Sequence, residues 1–119
     1  MHELSIADAI VAIGCEHARG RRVVSVEVRI GHLRQVVRGA LELAFELVAE
    51  GTPVEGAELK VEEVPARVAC RECARETRAD AFPLVCAGCG SLAVDVVAGD
   101  ELTVEALELD EEPIAVARR

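Results

Sequence analysis

The sequence predicts an α+β fold: two helices packed on a three-stranded sheet, with a small four-cysteine module inserted before the last strand. Three observations carry that expectation. Hydrophobic spacing switches between a helical period and a period of two, the apolar residues are almost all aliphatic, and two Cys-x-x-Cys pairs stand close together at Cys70/Cys73 and Cys86/Cys89. A chain of 119 residues that is 51% hydrophobic has room for one modest core plus a satellite held by something other than burial. Only Phe45 and Phe82 are aromatic, so Val, Leu, Ile and Ala must build that core.

The first helical pattern has Ser5 with Asp8 three residues on, a version of the capping box, so Met1, His2 and Glu3 are expected to precede the helix as a short, anchored start. Leu4, Ala7, Ile10, Val11, Gly14, Cys15 and Ala18 recur at helical spacing and form the expected inner face, which fades between His17 and Gly20. From Val23 the period becomes two, with Val24, Val26, Val28 and Ile30 on one face and Ser25, Glu27 and Arg29 on the other, ending at Gly31. After His32 and Leu33 a second helix is expected as far as Glu50. Its stripe is Val37, Leu41, Ala44 and Val48, widened by Val36, Leu43 and Leu47, and it is stopped by Gly51 and Pro53. Ala57, Leu59 and Val61 alternate with Glu58, Lys60 and Glu62 in a second strand that ends near Pro65. The last strand places Leu102, Val104 and Ala106 in one phase and Leu107 and Leu109 in the other, which calls for a bulge near Ala106 and Leu107. The expected domains are residues 1–65 plus 99–119 and an inserted module over 66–98. Residues 111–119 read as a loose tail.

Charge narrows the function classes. A formal net charge of -9 and a pI near 4.8 repel phosphate backbones, and Arg67, Arg71, Arg75 and Arg78 are interleaved with Glu72, Glu76 and Asp80. No apolar run of about 18 residues is present for a membrane span. Asp8 interrupts the only early apolar stretch, so no signal peptide is expected and the reading is a cytoplasmic protein.

In a reducing compartment two Cys-x-x-Cys pairs read as metal ligands, with free or redox thiols as the alternative. Cys70, Cys73, Cys86 and Cys89 supply four thiolates for one tetrahedral ion, and Gly90 lets the second knuckle turn so that backbone N–H groups point at sulfur. The expectation is a closed structural zinc site of zinc-ribbon type, unsuited to hydrolysis for want of an open position; iron is the other S4 option. Cys15 reads as a buried structural thiol, and His17 and His32 as surface or helix-end histidines.

His2 differs by position. A histidine at residue two can offer its imidazole, its own backbone amide nitrogen and the amine of Met1 to one ion in fused chelate rings. The amide must lose its proton, which Ni(II) and Cu(II) promote in square-planar geometry. Taken alone, one histidine is a weak motif and an ordinary exposed terminus is the stronger reading. No nucleophile elbow, phosphate-cradling loop or paired catalytic carboxylate is present, so an enzyme is not supported.

Met1-His2-Glu3-Leu4-Ser5-Ile6, Ile30-Gly31-His32-Leu33, Ala44-Phe45-Glu46, Gly51-Thr52, Glu55-Gly56-Ala57-Glu58-Leu59, the cysteine pairs with Gly90-Ser91, and Gly99-Asp100-Glu101-Leu102 together resemble the HypA/HybF family of hydrogenase maturation nickel chaperones. The resemblance spans nearly the whole chain. It implies an α/β domain that binds Ni(II) as transferable cargo through the side chain and backbone amide of His2, with the Met1 amine and the Glu3 backbone amide as candidates to complete the plane. It further implies a structural Zn(II) on Cys70, Cys73, Cys86 and Cys89, a hydrogenase maturation GTPase partner, and delivery to the [NiFe]-hydrogenase large-subunit precursor. Urease maturation proteins are partners in some organisms. The expected state is a monomer or weak homodimer, without nucleic acid. Ala74 and Ala87 depart from the resemblance, standing where many relatives carry glycine and proline, and no histidine lies within the cysteine module. Two other classes compete with this reading: a zinc-ribbon scaffold or nucleic-acid module without nickel traffic, and a dithiol oxidoreductase.

Overall fold

The computed structural model describes residues 2–113. The chain forms α1 (His2–His17), β1 (Arg21–Gly31), a 3-10 turn (His32–Arg34), α2 (Arg38–Ala49), β2 (Glu58–Val64), β3 (Arg67–Cys70), β4 (Glu76–Arg78), β5 (Val94–Ala98) and β6 (Leu102–Pro113). Two three-stranded sheets have the orders β2-β1-β6 and β4-β3-β5. The α+β expectation with two helices is met. The described chain divides into two compact units: one takes the residues up to Val28, Val36–Val61 and those from Val104, the other Arg29–Gln35 and Glu62–Thr103.

In the first unit α1 begins at His2, so the expected cap at Ser5 is overturned and His2 and Glu3 belong to the first helical turn. The reason lies in Glu3. The residue is only 8% exposed, and its carboxylate accepts a hydrogen bond of 2.9 Å from the Val37 N–H. Val37 is the N-cap residue of α2 and has no side-chain oxygen of its own to do this work. The Glu3 carboxylate therefore serves the start of α2 from outside it, while an acidic group in the first turn of α1 also suits the helix dipole. That bond to Val37 is the largest cause, with Glu3's own backbone N–H among the others, of a Glu3 pKa held down from its ordinary 4.5 to about 2; burial opposes it and His2 helps slightly.

Ala7, Ile10, Val11 and Gly14 form the buried face of α1 as expected, and Ala18 closes it, but Leu4 is 56% exposed. At Gly14 a Cβ would stand 2.9 Å from Val54 Cγ2, so the missing side chain is what lets the fully buried Val54 reach the helix. On α2 the inner face is Leu41, Ala44, Phe45 and Ala49. The wider stripe expected from the sequence is wrong: Val37, Leu43 and Leu47 are all more than half exposed. The helix starts at Arg38, four residues after the start expected directly behind Leu33, and Phe45, the bulkiest apolar side chain nearby, selects the buried face.

Strand β1 buries Val23 and Ser25, then Val26, Val28 and Ile30, so the expected alternation holds only from Val26 onward and Val24 faces out. Ser25, 2% exposed, donates to the Glu108 carboxylate of β6 at 3.2 Å, which satisfies its hydroxyl. On β6 the half-buried positions are Val104, then Leu107 and Leu109, a change of phase across Glu105 and Ala106. This strand continues to Pro113, through the first part of the expected loose tail; the rest of that tail lies outside the described residues.

The second unit contains a sheet that the periodicity did not reveal. β3 pairs antiparallel with β4 (Val68↔Thr77, Ala69↔Glu76) and with β5 (Cys70↔Val94, Val68↔Val96), with a register slip between Arg67 and Val68. Ala66, Val68 and Ala79 form its small core, packed against Leu33, Leu84 and Val94. Backbones approach unusually closely around Gly31 and Gly99. A Cβ on Gly31 would lie 1.9 Å from the Gly99 carbonyl oxygen, and one on Gly99 (φ +108) would lie 2.4 Å from the Ala66 Cα. Gly31 N–H donates to Glu101 O and Leu33 N–H to Gly99 O, both at 2.8 Å, while the Gly99 N–H is taken by the Glu101 carboxylate.

Two consequences can be measured. Gly31→Ala should destabilise the protein by about 3 kcal/mol or abolish folding, because the obstruction is backbone and cannot swing aside; urea unfolding followed by circular dichroism reads this. Glu3→Gln should lower the thermal midpoint at neutral pH. The Glu3 pKa is lower folded than unfolded, so its stabilisation is complete above about pH 4.5 and is lost as pH falls toward 2. Wild type and Glu3→Gln should thus converge across that window, and a difference that persists at pH 2 would contradict the assignment.

Candidate metal centre

The four cysteines meet at one point. Cys70 ends β3, Cys73 follows it in a tight turn, and Cys86 and Cys89 flank a second turn between β4 and β5. All four sulfurs lie within 4.8 Å of one another. Cys70 Sγ is 3.7 Å from Cys89 Sγ, and Cys73 Sγ is 3.6 Å from Cys86 Sγ. With metal–sulfur bonds of about 2.3 Å, the edge of a regular S4 tetrahedron is about 3.8 Å. The cluster therefore has the size of one coordination sphere, whereas a disulfide needs sulfurs about 2.05 Å apart.

Each knuckle aims backbone donors at its first sulfur. Glu72 and Cys73 N–H groups point at Cys70 Sγ, both at 3.4 Å, and the Gly88 N–H points at Cys86 Sγ at 3.3 Å. The turns that permit this need left-handed residues after the second cysteine of each pair: Ala74 has φ +64 and Gly90 φ +77. Their N–H groups return to the carbonyls of Cys70 (3.1 Å) and Cys86 (2.8 Å). The expected role of Gly90 is met, and in the first knuckle an alanine bears the same conformation against a steric cost. Ala87 also acquires a reason, since its N–H donates to Thr77 Oγ1 at 3.0 Å, a bond that proline could not make. Thr77 was invisible to sequence reasoning, because its contact with Ala87 depends on how β4 lies against the second knuckle.

Electrostatics point the same way. The Cys73 N–H, against the cost of burial, holds the Cys70 thiol below its ordinary range. The Cys89 N–H leads in lowering Cys86 from 9.0 to about 6, again against burial. At Cys89 the Ser91 N–H lowers the pKa, but the neighbouring thiols and burial outweigh it and push the value up to about 12. Backbone donors alone therefore support the first thiolates and not the full set. A bound cation is what allows all four to ionise together, so the donor set fits a metal such as zinc. Cys70 and Cys86 are buried, Cys73 half-buried and Cys89 exposed, which turns one edge of the cluster toward solvent.

The other predicted residues lie elsewhere. His2 and Glu3 stand together in the first turn of α1, where backbone N–H groups have no carbonyl four residues earlier to bond. The His2 imidazole is 52% exposed, with Nε2 3.6 Å from Glu3 Oε2. Met1, whose amine was a candidate ligand, lies outside the described residues. His17 Nδ1 sits 2.9 Å from Ile13 O within its own helix, and His32 Nε2 lies 3.5 Å from a Glu63 carboxylate oxygen. Cys15 is half-buried and not the fully buried thiol expected. What the sequence did not signal is the Glu3–Val37 bond, which fixes the carboxylate beside the first turn of α1.

Removing metal should loosen the module selectively. Trypsin is expected to cut at Arg71, Arg75 and Arg78 much faster after chelation, and Cys86→Ser should behave like the chelated protein without any chelator. Acid should act like the chelator, because protons compete with metal for thiolates, so metal loss should rise as pH falls. Mass spectrometry of the early fragments gives the answer; equal cleavage with and without metal would count against the site.

A model of the family described as hydrogenase/urease nickel incorporation, metallochaperone, hypA, matches residues 1–109. A relative named hydrogenase maturation factor HypA from Geotalea uraniireducens is 42% identical over 110 residues, covering 92% of this chain and all of the relative. One of the same name from Nostoc sp. is 38% identical over 111 residues, covering 93% of this chain and 97% of the relative. Among solved structures, the solution structure of the Ni metallochaperone HypA from Helicobacter pylori superposes with a TM-score of 0.66 at 26% identity, covering 92% of this chain and 98% of that one. A second solution structure of a HypA protein gives 0.68 at 27% identity, over 94% and 98% of the two chains. The residues matched by the family model take in both the first turn of α1 and the cysteine cluster. The chain belongs to the HypA family of nickel-incorporation metallochaperones, maturation factors for hydrogenase and not enzymes.

Proposed function

We propose that the chain carries Ni(II) at its N-terminus and hands it to the [NiFe]-hydrogenase large-subunit precursor in the cytoplasm, working with a hydrogenase maturation GTPase, while Zn(II) on Cys70, Cys73, Cys86 and Cys89 holds the second unit in shape. Urease maturation proteins are further partners in this reading, in keeping with a family description that names urease beside hydrogenase. The protein acts as a monomer or weak homodimer.

The single observation that carries the reading is the placement of His2 and Glu3 in the first turn of α1, with an exposed imidazole beside backbone amides that have no carbonyl four residues earlier to bond. Ni(II) can displace the amide protons and take the imidazole, the His2 amide nitrogen and either the Glu3 amide or the Met1 amine into one plane. The same geometry accounts for release. A helix N-terminus carries about +0.5 charge, which disfavours a cation there, and the neighbouring Glu3 carboxylate offsets this only in part. A site of that kind holds its ion with exchangeable affinity, and an incomplete coordination plane lets a recipient's ligand enter before the chaperone's ligands leave. Zinc, when bound, supplies a closed and redox-inert cross-link between the knuckles. That preference over iron follows from the near absence of aromatic packing in this chain.

Nickel titration of untagged protein, followed by the absorbance of a planar Ni(II) complex, tests the first claim. His2→Ala should lose the site. Extending the N-terminus by a few residues should weaken it if the Met1 amine is a ligand and leave it unchanged if the Glu3 amide is. Unaltered nickel binding in His2→Ala overturns the proposal, and elemental analysis of the same samples reports whether one zinc per chain accompanies it.

A further inference from the structure

We infer that Arg75 is the residue that clamps the two cysteine knuckles together and lends the thiolate cluster a positive charge; this rests on the reading that the four cysteines hold zinc. Arg75 belongs to both knuckles at once. Its backbone carbonyl accepts the Cys70 N–H at 2.8 Å, which ties it to the first. Its side chain crosses the second at Gly88: a Cβ built on Gly88 would stand 2.5 Å from Arg75 Nη1, 3.1 Å from Cδ and 3.3 Å from Cζ. Gly88 is the residue whose N–H points at Cys86 Sγ, so the guanidinium lies over the turn that supports that thiolate.

The chemistry calls for a cation there. Four thiolates around one divalent ion leave a net charge of −2, and the N–H donors supply only partial charges. The other arginines of this module have acidic partners: Arg67 pairs with Glu76, Arg71 with Asp95 and Arg78 with Asp80. Arg75 is the one laid across a knuckle. Gly88 leaves open the space in which Arg75 lies, and its own backbone has no left-handed angle that would demand glycine.

The test is zinc release from the full-length, zinc-loaded protein to a chromogenic chelator, timed at low salt and at about 1 M salt, where screening cuts the reach of a charge to about 3 Å. Arg75→Met, which keeps the aliphatic stem, should release zinc roughly two- to fivefold faster at low salt, as befits a partly exposed charge. The excess should shrink at high salt, and Arg75→Lys should recover most of the wild-type rate. Wild-type rates in Arg75→Met, an excess indifferent to salt, or no recovery with lysine would each overturn the clamp. If Arg75→Met does not load zinc, Gly88→Ala decides instead: it pushes the arginine off its seat without removing the charge and should accelerate release, and an unchanged rate there overturns the proposal. Wild type that carries no zinc would defeat the zinc reading itself, whereas zinc-loaded variants with wild-type rates defeat only the role of Arg75.

Discussion

The second unit is organised by a place where three stretches of backbone nearly touch. Gly31, at the end of β1, has the carbonyl of Gly99 where its side chain would be, and Gly99 has Ala66 where its own would be. With no Cβ at either glycine, Gly31 and Leu33 donate to the 99–101 segment, and Ala79 donates to Ala66. These bonds bring the start of β3 and the end of β5 to one spot, and β3 and β5 in turn carry Cys70 and the approach to the second knuckle. A core of Ala66, Val68 and Ala79 is too small to do this by burial alone. Close backbone packing and a cross-linked cluster take the place of the large side chains that the unit lacks.

The two candidate metal positions use opposite electrostatic designs. Around the cysteines, N–H groups are directed at sulfur, two thiols are biased toward thiolate, and the raised pKa of Cys89 reflects the mutual repulsion that a bound cation removes. This arrangement favours permanent occupancy. At the first turn of α1 the amides have no carbonyl four residues earlier, the imidazole is exposed, and the helix dipole opposes a cation. Glu3 ties this turn down: its carboxylate accepts from the Val37 N–H, which anchors the helix start, and it also lies beside the His2 imidazole and its own backbone N–H.

Much was legible in the sequence because short-range rules govern it. Two helices, the long strands, the stop at Gly51 and the four-cysteine cluster follow from period and spacing, which local geometry dictates. Less was legible wherever a contact between distant segments chose between alternatives. Leu43 and Leu47 fit a helical stripe on paper, yet the stripe through Leu41, Ala44, Phe45 and Ala49 is the one buried, because the start of α2 is set by Glu3 reaching across from α1. The strands β3, β4 and β5 are too short to display a period, and their pairing is stabilised by the knuckles they carry.

By itself, then, the sequence determined the two helices and the long strands, the order in which they occur, the gathering of the four cysteines and the presence of a histidine at residue two. Tertiary structure alone decided that His2 and Glu3 stand inside a helix and not ahead of one, that Glu3 serves Val37, and that Arg75 lies over Gly88. The physical reason is common to all three. Spacing along a chain records which residues can share a face, but a hydrogen bond or close approach between segments 13 to 34 positions apart depends on how those segments pack, and no local pattern encodes that.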